Sequence, residues 1–241
     1  MSSFGPKTRN HKPGTRNHGM RILVYGFGPY RRFHDNVTER VLRHIAKRRW
    51  LNKLIFPVKF HRRPFIEAIH RFRPDLIIGL GQCSRGRLLR IETTAMNKRR
   101  GSEKAKARPV LQAGAPKLFT NFRPRLNGRT RRSRHAGDYV CNYSMYVILD
   151  FLQRRHLPAQ YGFIHIPREF DPQRAATLLN KALVKIAGPG SGFSRACKLE
   201  LRRKVASQRQ SPPPRAGGVC APLLRACRAA RGSLPSRRTR R

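Results

Sequence analysis

Pro74-Asp75-Leu76-Ile77-Ile78-Gly79-Leu80-Gly81-Gln82 decides the fold. Its Leu76, Ile77, Ile78 and Leu80 leave no polar face, and a strand apolar on both sides must be covered on both sides. A sheet between two helical layers does this. Toward the N-terminus, Ile22, Leu23, Val24 and Tyr25 form a second short apolar run, ending in the turn-prone Gly26-Phe27-Gly28-Pro29. The stretch 37–50 then spaces Val41, Leu42, Ile45 and Ala46 at helical intervals, with Asn36 placed to cap it. A strand is predicted over 53–60. A helix follows over 64–72, with Phe65, Ile66, Ile69 and Phe72 on one side. Beyond the central strand, 88–96 reads as extended, 143–156 as a long helix, 160–166 as a strand and 172–186 as a closing helix. This alternation predicts a three-layer α/β/α sandwich with a mixed central sheet.

Between these elements, 98–135 carries many Arg, Pro and Gly with little apolar periodicity, and it is longer than an ordinary connection. It receives no assignment. The chain of 241 residues therefore divides into a folded domain over 20–187, a basic N-terminal extension over 1–19 and a Pro/Arg-rich tail over 188–241. Both extensions read as disordered.

The formal net charge is +43, of which +4 falls in 1–19, +26 in 20–189 and +13 in 190–241. A surface so basic attracts nucleic acid without sequence preference, so a nucleic-acid-binding protein on an inactive enzyme fold is an alternative reading. Lineage-wide arginine enrichment accounts for the same count. The five cysteines show neither paired zinc-site spacing nor disulfide-scaffold density, which favours a reducing, cytoplasmic setting. No apolar run reaches the roughly 18 residues of a membrane span, and the polar first 19 residues make no secretory signal. Prolines and glycines there also spoil an organelle-targeting helix.

Three residues could carry chemistry. Cys141 precedes the helical run Met145, Val147, Ile148, Leu149 and Leu152, so it falls near a helix N-terminus, where unpaired amides favour a thiolate and can bind an oxyanion. His165 ends the apolar run Gly162-Phe163-Ile164, at a strand terminus where α/β active sites emerge. Glu92 is one of few acids in the chain and could orient a histidine. Taken singly, each has an ordinary structural reading: a core cysteine, a structural histidine, a salt-bridged glutamate. Cys83 also ends a strand, without a well-placed base. The pair Gly26 and Gly28 lacks the third glycine of a dinucleotide fingerprint, since Arg31 stands there.

The ordered set is more specific. Gly26-Phe27-Gly28-Pro29-Tyr30, Asn36, the 74–82 strand with Gln82, Ile91-Glu92 through Asn97, Ala136-Gly137-Asp138-Tyr139-Val140-Cys141-Asn142 and Gly162-Phe163-Ile164-His165-Ile166-Pro167 together resemble the pyroglutamyl peptidase I family of cysteine peptidases. The resemblance implies a triad of Cys141 as nucleophile, His165 as base and then acid, and Glu92 as orienting partner. It implies hydrolysis of the amide after an amino-terminal pyroglutamyl residue through a thioester, with neither metal nor organic cofactor. It also implies homo-oligomers. Pyroglutamate is a neutral lactam that suits an apolar slot. By resemblance, Phe27, Tyr30, Tyr139 and Val140 line that slot, with Gln82 beside it. The chain departs from the family pattern in Cys83-Ser84-Arg85-Gly86-Arg87, where glycines are expected, and in Thr93, where arginine is common. It departs again over 126–135, whose polar and basic character predicts the loss of a strand beside the nucleophile.

Overall fold

The computed structural model describes residues 19–188 apart from 31–33, 85, 103 and 129, so the two extensions, except Gly19 and Gly188, lie outside the described residues. Eight strands and four helices follow in the order β1 (Ile22–Phe27), α1 (Val37–His44), β2 (Leu51–Phe56), α2 (Arg63–Phe72), β3 (Leu76–Cys83), β4 (Leu89–Glu92), β5 (Thr94–Met96), β6 (Lys117–Phe119), β7 (Thr130–Ser133), α3 (Val140–Arg154), β8 (Gln160–Pro167) and α4 (Pro172–Ala187). Six strands form one sheet in the order β2-β1-β3-β8-β4-β7, and β5 pairs with β6 separately. β2, β1, β3 and β8 run parallel, β4 is antiparallel to β8, and β7 is parallel to β4. The sheet is therefore mixed, as the alternation of elements predicts.

Alternation along each inner strand divides the core into two layers. Leu23, Tyr25, Ile77, Tyr161 and Phe163 pack with Phe65 and Ile69 of α2 and with the buried face of α3. Ile22, Val24, Leu76, Ile78, Ile164 and Ile166 point the other way, onto Val41 and Leu42 of α1 and Leu179 and Leu183 of α4. Each layer buries a continuous apolar surface, which is the main stabilising contribution. Among the described residues no helix is long and apolar enough to cross a membrane.

Helix α1 is capped as expected, with Asn36 accepting from the Thr38 amide, but it stops six residues before position 50. Ile45 leaves the helix in an extended conformation and still buries its side chain, so it continues the apolar spacing without continuing the helix. Lys53 Nζ donates to the carbonyls of Leu42 and Ile45, at 2.8 and 2.6 Å, satisfying the open end.

The strand expected to be missing before the nucleophile is present as β7. It pairs residue for residue with β4, from Leu89↔Thr130 to Glu92↔Ser133, yet its Thr130, Arg131 and Arg132 are exposed. Backbone pairing at an open edge leaves no apolar alternation in the sequence, and charges suit such an edge. The preceding stretch is organised by the side-chain amide of half-buried Asn97 and by a tyrosine hydroxyl. Asn97 Oδ1 accepts from the Val110 and Leu111 amides, and its Nδ2 donates to the Leu111 and Gly114 carbonyls. The Tyr146 hydroxyl donates to the Ala115 carbonyl at 2.6 Å.

Candidate active site

The C-terminal ends of β3 and β8, the adjoining β4 and the start of α3 converge on Gly81. Its Cα pairs with that of His165, while Arg90 and Glu92 of β4 stand opposite His165 and Phe163. A Cβ added at Gly81 would lie 2.8 Å from Cys141 Sγ and 2.8 Å from His165 Cδ2. Sulfur and imidazole therefore approach across a strand position that only glycine leaves empty, no further apart than twice that distance. Cδ2 is bonded to Nε2, so this edge of the ring is turned toward Gly81.

The other edge is fixed by Glu92. His165 Nδ1 and Glu92 Oε1 lie 2.7 Å apart, with both residues buried, Glu92 completely. With Nδ1–H donating to the carboxylate, Nε2 carries the lone pair. Arg90 Nε stands 3.9 Å from Glu92 Oε1, and among the described residues Glu92 Oε2 has no hydrogen-bond partner. The carboxylate thus acts on the histidine through one oxygen and has one nearby cation.

Cys141 is the second residue of α3, confirming its expected place near a helix N-terminus. The N-cap, Tyr139, makes no side-chain hydrogen bond to the first turn, so that turn's amides, which have no partner within the helix, are not capped by it. Burial pushes the Cys141 thiol up to about 12, with Cys83 and Glu92 adding to the effect and Arg90 opposing it. The resting sulfur is a neutral thiol. Burial likewise raises Cys83, which Arg90 partly offsets, and neither cysteine is in a disulfide.

A row of hydroxyls behind Cys141 was not legible in the sequence. Ser144 Oγ donates to the Cys141 carbonyl at 2.9 Å, the Tyr25 hydroxyl donates to Ser144 Oγ at 3.0 Å, and the Tyr161 hydroxyl lies 2.7 Å from that of Tyr25. Each hydroxyl has one hydrogen, so Tyr161 must donate to Tyr25. Asn142, next to Cys141, is completely buried. It accepts from the Met96 amide and donates to the Met96 and Lys98 carbonyls. The only sequence hint of Gly81 was a second glycine in an otherwise apolar strand, a sign of close approach.

The residues expected at a substrate slot fall into two groups. The rings of Tyr30 and Tyr139 meet at 5.1 Å, and Tyr139 also meets Phe60 at 5.2 Å. Phe27 and Val140 are buried in the core, each 2% exposed. The Phe27 turn is held by Thr38, whose hydroxyl accepts from the Phe27 amide, and by Asn36, whose Nδ2 donates to the Gly28 carbonyl. Gln82 Oε1 accepts from the Val37 amide at 2.9 Å, so its oxygen fastens α1 and only its amide nitrogen remains as a donor to a ligand. At the family departures, Thr93 joins β4 to β7 by donating from both its amide and its hydroxyl to the Ser133 carbonyl. Among the described residues no group of three His, Cys, Asp or Glu side chains could hold a metal ion.

Known proteins match this architecture. A family profile for pyroglutamyl peptidase matches residues 129–184, which include Cys141 and His165. Pyrrolidone-carboxylate peptidase 2 of Caldanaerobacter subterraneus is 28% identical over 168 residues, covering 61% of this chain and 81% of that protein. The pyrrolidone-carboxylate peptidase of Pyrococcus furiosus is 26% identical over 186 residues, covering 68% and 88%. In fold, the chain is similar to pyroglutamyl peptidase I of Bacillus amyloliquefaciens, with a TM-score of 0.58, 23% identity and coverage of 73% of this chain and 95% of that one. It is likewise similar to pyrrolidone carboxyl peptidase of Thermococcus litoralis, with a TM-score of 0.59, 17% identity and coverage of 77% and 96%. In sequence, most clearly over 129–184, and in fold, the chain is similar to the pyroglutamyl peptidases.

Proposed function

We propose that the chain is a thiol hydrolase that removes amino-terminal pyroglutamate from peptides, with Cys141, His165 and Glu92 as its triad. The observation that carries this reading is the convergence on Gly81, where the thiol and the Glu92-oriented imidazole flank one empty strand position.

In this reading His165 Nε2 takes the Cys141 proton as Sγ attacks the pyroglutamyl carbonyl carbon, so a thiolate forms only as it reacts. The uncapped amides of the first turn of α3 receive the oxyanion. Collapse of the tetrahedral intermediate breaks the C–N bond, and the imidazolium gives its proton to the departing amine. A water then attacks the thioester, losing its proton to Nε2. That proton returns to sulfur as free pyroglutamate leaves. Glu92 stabilises the imidazolium in both halves. No step calls for a metal or an organic cofactor.

Tyr30 and Tyr139 form the mouth of the lactam slot in this proposal, Phe27 and Val140 its floor, and the Gln82 amide nitrogen a donor at its side. The nucleophile must stay reduced, which suits the cytoplasm. The test is release of fluorophore from pyroglutamyl aminomethylcoumarin. Turnover by the wild type that disappears in Cys141→Ser is expected, and a folded, reduced wild type without turnover would refute the proposal.

A further inference from the structure

A second cavity, of about 450 Å³, lies beside the proposed slot and is lined by Phe60, Arg99, Gly101, Ala105, Lys106 and Arg108. It is joined to the nucleophile from two sides. Phe60 stacks edge-on to Tyr139 at 5.2 Å and to Tyr143 at 5.2 Å, residues that bracket Cys141 in the first turn of α3. The loop forming its basic wall is fastened to the same turn. The Arg100 amide donates to the Asp138 carbonyl at 2.6 Å, Arg100 Nε lies 2.9 Å from the Asp138 carboxylate, and Asn142 Nδ2 donates to the Lys98 carbonyl.

Among the described residues, three of the charges of this wall have no acidic partner. Residues 98–108 contain six basic residues and one acid, Glu103, which lies outside the described residues. Among the described residues no carboxylate comes within 4.0 Å of the charged groups of Arg99, Lys106 or Arg108, whereas Arg100 is paired. Arg99 and Arg108 face each other across an antiparallel bridge, exchanging amide-to-carbonyl bonds of 2.7 and 2.9 Å. Like charges directly opposite repel, and the arrangement is relieved by an anion between them. The Arg99 guanidinium also lies 5.5 Å from the centre of the Phe60 ring, which holds the charge over an apolar surface.

From this we infer that the cavity is a specificity subsite for a carboxylate on the leaving peptide, with Arg99, Lys106 and Arg108 binding the anion and Phe60 its aliphatic stem. The inference rests on the pyroglutamyl peptidase reading and deepens it. The carboxylate comes either from an acidic side chain after pyroglutamate or from the free C-terminus of a short peptide. The cavity's small size and its place at the nucleophile's helix favour such a group over a polymer.

Two substrate pairs separate the sources. One is pyroglutamyl-glutamate amide against pyroglutamyl-glutamine amide. The other is pyroglutamyl-alanine against its amide. The wild type is expected to favour the carboxylate member of at least one pair by about fivefold in kcat/KM, the size that several exposed ion pairs together can supply. The preference should shrink in high salt and fall toward one in Lys106→Gln/Arg108→Gln. Equal rates within both pairs, with the coumarin substrate still cleaved by the wild type, would overturn the subsite alone. No coumarin cleavage by the wild type would overturn the reaction and the subsite with it. Equal inhibition of both members of a pair by a short RNA, lost in the double variant, would assign these cations to nucleic acid and overturn the inference.

Discussion

Gly81→Ala tests the geometry of the site with a single methyl group. The new Cβ would stand 2.8 Å from Cys141 Sγ, His165 Cδ2 and Phe163 Cε1, where ordinary contact begins at 3.4 Å. Something must retreat by about half an ångström, and two of the three neighbours have no easy path. Phe163 is completely buried, and the imidazole is held through Nδ1 by Glu92. Overpacking of this kind costs about 1–3 kcal/mol of stability. The effect on rate should be larger than that loss suggests, because sulfur and base are driven apart together. Misplacement near 1 Å costs about a hundredfold, so a fall in kcat of between about tenfold and a hundredfold is expected. The assay is coumarin release per folded molecule, with the folded fraction read from urea denaturation. Gly162→Ala is the control, since its Cβ would meet Phe122 and Pro124 but neither reacting atom. It should lose stability without a comparable loss of rate. If Gly81→Ala were folded and as active as wild type, the thiol and imidazole would not meet where the coordinates put them.

Two further outcomes follow from the same coordinates. Because burial holds the Cys141 thiol near 12, its thiolate fraction rises about tenfold per pH unit through the neutral range; alkylation of the Cys141 peptide by iodoacetamide, followed by mass spectrometry, should rise in step from pH 7 to 9, and a rate flat over that range would instead mean a preformed thiolate. Asn97→Ala removes four hydrogen bonds that order 110–114 and should cost about 1–3 kcal/mol, with new proteolytic cleavage in that segment before global unfolding; unchanged urea stability and an unchanged cleavage pattern would contradict that role.

What the sequence disclosed tracks where side chains report their surroundings. β1, β3 and β8 are buried on both faces, so their runs of Ile, Leu and Val announce them. The long helix was expected from position 143, but α3 begins at Val140 because Tyr139 and Val140 give no capping signal. β7 was hidden because its pairing is carried by backbone and its side chains are largely exposed, and 98–116 was hidden because Asn97 and Asn142 order it with single side-chain amides instead of a periodic apolar face. Of the candidate site, Cys141, His165 and Glu92 stood out by type and position. Gly81 did not, since its contribution is an absent atom. Tyr25, Ser144 and Tyr161 read as ordinary core, because nothing in the spacing shows three hydroxyls meeting across elements more than a hundred residues apart.

That row of hydroxyls limits how the nucleophile can move. The Cys141 carbonyl accepts from Ser144, and the next residue, Asn142, is tied by three bonds to Met96 and Lys98. The backbone on either side of the sulfur is pinned. A cysteine side chain has one soft torsion, χ1, with three staggered wells. In the proposed reaction, the sulfur's approach to the carbonyl and its withdrawal therefore reduce to rotation about a single Cα–Cβ bond on a stationary pivot, along an arc whose radius and plane the helix has already set.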